Sequence, residues 1–278
     1  MILITKPAFT VREVFHKCIS TVADEKLKQE LEDCIDLLEL AETDFDKKFI
    51  LDEIYMISPK NVIKGNIDKN EMKKIYDYRM VSIIPGKTYY NRIMSAAPYG
   101  KCPLCSVRLA DTLDHYLPKS KFPIYTVTPI NLIPACTLCN QGKRVDYPTT
   151  SEGQTLHPYY DNVENVSWIQ ASVLHTNPIT FNYSVVPHYS WTKILKDRAQ
   201  THFNAFNLNE LFSSHANEEF RGVKMQLITL YNSNPNLLKA HLQDSYKSRL
   251  ALGRNSWQAV MYNALLNDVW FCNGGILA

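Results

Sequence analysis

The chain has 278 residues, 45% of them hydrophobic and 21% charged, the balance of an ordinary soluble globular chain. No run approaches the roughly 20 consecutive apolar residues of a membrane helix, and Met1–Pro7 lacks the basic start and apolar core of an export signal, so no membrane helix is expected and the cytoplasm is the expected location. The formal net charge of +2 is too small to announce a polyanion binder by itself.

The distribution of that charge says more. Residues 1–86 carry 13 basic and 16 acidic side chains, residues 87–144 carry eight and two, and residues 145–278 carry nine and ten. The positive charge is concentrated in one 58-residue block, as a local polyanion site would require.

In chain order, the first 80 or so residues read as helical. Thr10-x-x-Glu13 resembles a capping box. Leu27, Leu31, Ile35 and Leu38 share a helical face, and Phe45, Phe49, Ile50, Ile54 and Ile57 repeat the pattern until Ser58-Pro59 stops it. Residues 60–70, polar with one glycine, read as a loop. The spacing predicts a helix over 88–97, ended by Pro98-Tyr99-Gly100. Pro85-Gly86-Lys87-Thr88 is no phosphate loop, because Val81 stands where the pattern needs a glycine.

Residues 100–160 hold seven prolines and cannot form a long helix; short strands and loops pinned by a metal suit them. Runs around 168–174 and 179–186 read as strands joined by a turn at Asn177-Pro178. Helices return over Trp191–Phe206 and Trp257–Leu265, and Asn273-Gly274-Gly275 ends the last element.

Of seven cysteines, Cys18, Cys34 and Cys272 stand alone and read as small buried hydrophobes. Cys102/Cys105 and Cys136/Cys139 are both C-x-x-C, about 30 residues apart. Two-residue spacing lets both sulfurs of a pair reach one ion, and four thiolates satisfy tetrahedral Zn²⁺, so a structural zinc is expected.

Beside these pairs lie Leu113-Asp114-His115-Tyr116-Leu117-Pro118-Lys119 and Asn131-Leu132-Ile133-Pro134-Ala135-Cys136-Thr137-Leu138-Cys139-Asn140-Gln141-Gly142-Lys143. C-x-x-C, then Asp-His-x-x-Pro, then Asn-Leu-x-x-x-C-x-x-C-Asn-x-x-Lys resembles the zinc-bearing form of the HNH (ββα-metal, His-Me finger) endonuclease motif. Asn140 stands where many members have histidine, which resembles the HNH domain of RNA-guided CRISPR effector nucleases. The resemblance covers residues 100–145.

It implies a metal-dependent hydrolysis of phosphodiester bonds, DNA ahead of RNA, leaving 5′-phosphate and 3′-hydroxyl ends. His115 would be the general base, Asp114 and Asn140 the ligands of Mg²⁺ or Mn²⁺, and Asn131 the residue holding the loop that orients the histidine, with a local bend bringing the aspartate and histidine to one site. A side chain titrating near pH 6.5 suits the base role, and hard oxygen ligands suit such ions. Lys143, with Lys119 and Arg144, would meet backbone phosphates. His157 reads as a packing residue.

The expected fold is α+β: a helical region 1–85, a zinc-stapled ββα module 86–160, and a mixed, mainly helical region 161–278. Small HNH proteins of bacterial antiviral defence systems suggest a partner such as an ATPase for the flanking regions. A zinc module that binds nucleic acid without cutting it, or a scaffold subunit, is the alternative.

Overall fold

Thr10 opens the first helix as its sequence predicts: its hydroxyl accepts the Glu13 amide while the Glu13 carboxylate accepts the Thr10 amide. The computed structural model, which describes residues 1–143 and 146–278, divides into two compact units, Met1–Asp161 and Asn162–Ala278.

In the first unit α1 (Val11–Ile19), α2 (Glu25–Glu32) and α3 (Ile35–Ile50) bury one face each. A hairpin of β1 (Val62–Lys64) and β2 (Ile67–Asp68) follows, where the sequence read as a loop. Its strands are too short for periodicity to show, and Gly65 supplies the left-handed φ of +54° that the reversal requires. Asp68 then caps α4 (Lys69–Lys74), which continues into a π-helical turn, Ile75–Met80. Helix α5 runs from Gly86 to Met94, shifted towards the N-terminus of the expected span. Gly86 begins it with no room for a side chain, since an added Cβ would stand 2.4 Å from the Arg79 carbonyl oxygen.

The ββα module continues this unit: β3 (Thr112–His115) pairs antiparallel with β4 (Leu132–Ala135), and α6 (Thr137–Lys143) follows. Leu113 and Leu132 join Phe15, Leu31, Leu38 and Tyr76 in one buried cluster, so the N-terminal helices share a core with the module.

The second unit holds the expected hairpin, β5 (Ile169–Leu174) and β6 (Thr180–Val185), in unbroken register from Ile169↔Val185 to Leu174↔Thr180. Helices α7 (Lys193–Ala205), α8 (Leu208–Ser233), α9 (Pro235–Arg249), α10 (Trp257–Asn267) and α11 (Val269–Cys272) complete it. Asn209 and Asn217 of α8 accept the amides of Tyr183 and Phe181, satisfying the free edge of β6. The mixture of helices and small antiparallel sheets is α+β. Among the described residues no helix is long and apolar enough to cross a membrane. Cys18, Cys34 and Cys272 are buried, as expected of small hydrophobes.

Candidate active site and metal centre

The four paired cysteines converge. Their sulfurs lie within 4.8 Å of one another, and all four side chains are buried. Thiolates bound about 2.3 Å from a tetrahedral ion stand about 3.8 Å apart, so the group can hold zinc with little adjustment. Hydrogen bonds among the four sulfurs push Cys105 and Cys136 down and Cys102 and Cys139 up, so the thiols share protons where an ion would take all four as thiolates. The first pair sits in a tight knuckle: the Ser106 amide donates to the Cys102 carbonyl (2.7 Å), the Cys102 amide to the Arg108 carbonyl (2.8 Å), and Ser106 takes φ +62°. The second pair opens α6, whose first amide, from Thr137, donates to Asp111 Oδ1 at 2.7 Å. Asp111 thus fastens the start of β3 to the start of α6.

Asp114 pairs with Ile133 and His115 with Leu132. Successive residues on a strand face opposite ways. Asp114 faces α6 and His115 faces the N-terminal helices. The chain bends at Tyr116–Leu117, directly after the histidine.

On the α6 side, the Lys143 ammonium lies 3.1 Å from Asp114 Oδ2 and 2.7 Å from the His115 carbonyl oxygen, and stacks 4.9 Å over the Tyr116 ring. Both partners of the ion pair are buried, Asp114 at 3% and Lys143 at 8% exposure. Burial pushes the Asp114 carboxyl up and the Lys143 ammonium down, and each charge opposes the other's shift. Lys143 therefore differs from the expected surface cation: α6 turns it inward, onto the one carboxylate of the module that is buried. Asn140, half-buried on the same face of α6, makes a long contact of 3.5 Å from Nδ2 to the Leu113 carbonyl.

On the other side, His115 Nε2 lies 2.8 Å from the Thr126 carbonyl oxygen. A carbonyl only accepts, so Nε2 carries the proton and Nδ1 keeps its lone pair. The ring packs edge to face on Tyr76, with centroids 4.5 Å apart. Burial, helped by Lys119, lowers the His115 pKa to about 3 against the opposing Thr126 carbonyl. The imidazole makes its contacts with the 117–128 loop and Tyr76, while the Asp114 carboxylate and Asn140 gather at Lys143, so the two side chains leave β3 on opposite faces rather than meeting through the local bend that the resemblance implied.

Asn131 is fully buried and holds that loop closed. Its Oδ1 accepts the Leu117 amide at 2.7 Å, and its Nδ2 donates to the carbonyls of Leu117 (3.1 Å) and Tyr125 (3.0 Å). Lys119 pairs with Asp77 and lies 4.2 Å over the Tyr76 ring. Arg144 lies outside the described residues. His157 is buried among Phe49, Tyr116 and Tyr160, a packing residue.

Sequence reasoning passed over Asp111, Thr126, Tyr76 and Asp77. An aspartate at the end of the first knuckle was a visible capping candidate; Tyr76 and Asp77 reach the site through tertiary packing that no local pattern announces.

No family model matches the chain, and no solved structure matches it. The chain is 27% identical over 242 residues to Protein ea31 of Escherichia phage lambda, a similarity that covers 81% of each of the two chains.

Proposed function

We propose that this chain is a metal-dependent endonuclease of the HNH type that hydrolyses phosphodiester bonds of nucleic acid. The observation that carries the reading is a buried oxygen cradle, the Asp114 carboxylate with the His115 carbonyl, which already holds a cation one residue from a histidine of fixed tautomer. Oxygen donors of this kind fit Mg²⁺ or Mn²⁺, and the Asn140 amide is within the same helix–strand contact to add a third. A divalent ion bound there would neutralise charge building on the phosphate and on the leaving oxygen.

The chain's own residues would do the rest. His115 Nδ1 takes a proton from water as its oxygen bonds to phosphorus; the phosphorus–O3′ bond breaks, and O3′ leaves with a proton from solvent. The Thr126 carbonyl holds the tautomer that makes Nδ1 the acceptor. Asn131 fixes the loop that carries Thr126. The four cysteines, taking one zinc, keep α6 in register with β3 and do no chemistry.

One observation favours a second reading. The Asp114–Lys143 pair leaves the cradle filled by the chain's own ammonium, which suits a zinc-stapled module that binds nucleic acid, or scaffolds an assembly, without cutting.

Zinc-loaded protein with Mg²⁺ or Mn²⁺ is to be incubated with supercoiled plasmid, single-stranded DNA and tRNA, beside His115→Ala. The nuclease reading expects cleavage of at least one substrate and a loss of about 100-fold or more in the variant. Cleavage that is metal-independent, or equal in the variant, overturns it.

A further inference from the structure

Residues 78–110 contain no acidic side chain and five basic ones: Arg79, Lys87, Arg92, Lys101 and Arg108. Helix α5, inside this stretch, packs on β3 and β4, so the stretch borders the strand that bears Asp114. Among the described residues Lys87, Lys101 and Arg108 form no ion pair, and Lys87 and Lys101 are exposed.

In the middle of this segment stands Tyr99, 99% exposed, with φ +53° and ψ +27°. That left-handed conformation is unfavourable for a bulky residue and suits glycine. A fully exposed ring recovers nothing by packing, so the fold gains nothing from a tyrosine here.

The position is nevertheless held firmly. The Gly100 amide donates to the Ala97 carbonyl (3.0 Å), the Lys101 amide to Pro98 (2.9 Å), and the Ala110 amide to the Gly100 carbonyl (2.8 Å). Lys101 bridges to Leu109 across the knuckle that carries Cys102 and Cys105, and Leu109 is itself 64% exposed. A rigid arm therefore presents an aromatic face from a stretch of chain that itself carries no acidic side chain, with Asp111 the first carboxylate beyond its end.

We infer that Tyr99 is a stacking platform for an unpaired base, and that the surface from Lys87 to Arg108 takes nucleic acid with single-stranded character. Every base has a π-face, so such a platform tolerates any sequence, and paired bases, already stacked, gain little from it. The cations beside it meet backbone phosphates. The inference rests on the nuclease reading in taking nucleic acid as the partner.

The test is fluorescence anisotropy of the zinc-loaded full chain with a labelled single-stranded oligonucleotide and its duplex, at two salt concentrations and with no added divalent cation. Tyr99→Gly suits the backbone and keeps or raises the melting temperature; it should weaken single-strand binding by about fivefold or more and leave the duplex nearly unchanged. Tyr99→Trp should retain the affinity. Lys101→Gln should lower the salt dependence for both probes.

Equal single-strand affinity in wild type and Tyr99→Gly overturns the platform, whether or not the wild type cuts nucleic acid. Tyr99-dependent binding by a chain that never cuts upholds the platform and ends the nuclease reading. No binding to either probe in low salt overturns it together with the nucleic-acid partner. Tyr99-dependent self-association in sedimentation, with oligonucleotide binding unchanged, assigns the residue to a protein contact and overturns the platform.

Discussion

The ammonium of Lys143 stands 3.1 Å from the carboxylate of Asp114, and both side chains are out of solvent. Removing one partner of a buried pair leaves the other charge uncompensated, at about 3 kcal/mol or more. Lys143→Met should therefore lower the melting temperature sharply in metal-free buffer with the zinc retained. Millimolar Mg²⁺ or Mn²⁺ should restore much of the loss, because a hard cation can take the same carboxylate. Differential scanning fluorimetry with and without the ion decides: a loss of equal size in both buffers would mean that the cradle accepts no cation but its own.

Asn131 joins two carbonyls and one amide of the 117–128 loop through its side chain. Asn131→Ala strands these buried groups, each worth about 1 kcal/mol or more when left unpaired. Asn131→Asp keeps the acceptor and loses both donations. Both variants should be destabilised by about 2–4 kcal/mol by urea denaturation. Wild-type stability in either would show that the loop is held by something else.

His115, lowered to about 3 from 6.5, stays neutral where free imidazole charges. Between those pH values the unfolded chain binds a proton that the folded chain refuses, so folding weakens as pH falls from about 6.5 towards 3 and keeps its full strength above 6.5. Cleavage, where present, should show no acid limb near 6.5 from this residue. Nitrogen-15 NMR should find an Nε2-protonated neutral ring at pH 6; a resonance titrating with a midpoint near 6.5 contradicts the burial.

The α+β class and the convergence of the cysteines were legible in the sequence because both are local. Two C-x-x-C spacings fix two sulfurs each, and the periodicities at 27–38 and 169–185 need no partner to be read. The direction of Lys143 was not legible: a lysine three residues after Asn140 shares its helix face, and spacing cannot say whether that face meets solvent or a buried carboxylate. The hairpin at 62–68 escaped because three and two residues make no alternation. Tyr76 escaped because its contact with His115 spans 39 residues of chain and exists only once the N-terminal helices dock on β3. The N-terminal helical region thus supplies the wall of the candidate base.

Asp111 accepts both the amide and the hydroxyl of Thr137, at 2.7 and 3.0 Å, and so caps a helix of seven residues. So short a helix has little stability of its own. Asp111→Ala should cost about 1 kcal/mol, the usual value of a lost N-cap, and Asp111→Asn should recover most of it. Chemical denaturation of the three proteins side by side measures this. An asparagine variant as weak as the alanine would show that charge, rather than the hydrogen bonds, fastens the helix.

The zinc-deprived chain gives the strongest contrast, because β3, the Asp111 cap and the cysteines are what hold α6. Without an ion, four buried thiols within 4.8 Å must share protons, and the two knuckles lose their common anchor. Freshly purified protein should contain about one zinc per chain by elemental analysis, the count that one tetrahedral four-thiolate site requires. Cys136→Ser should lower that content, loosen α6 and displace Asn140 and Lys143 together, visible as faster amide exchange over 137–143. Its effect on the second unit's hairpin should be nil, since β5 and β6 draw their side-chain hydrogen bonds from Asn209, Asn217 and Asn255. A folded wild type with no zinc, or a Cys136→Ser chain whose α6 exchanges no faster, would mean that the four thiols meet for packing alone.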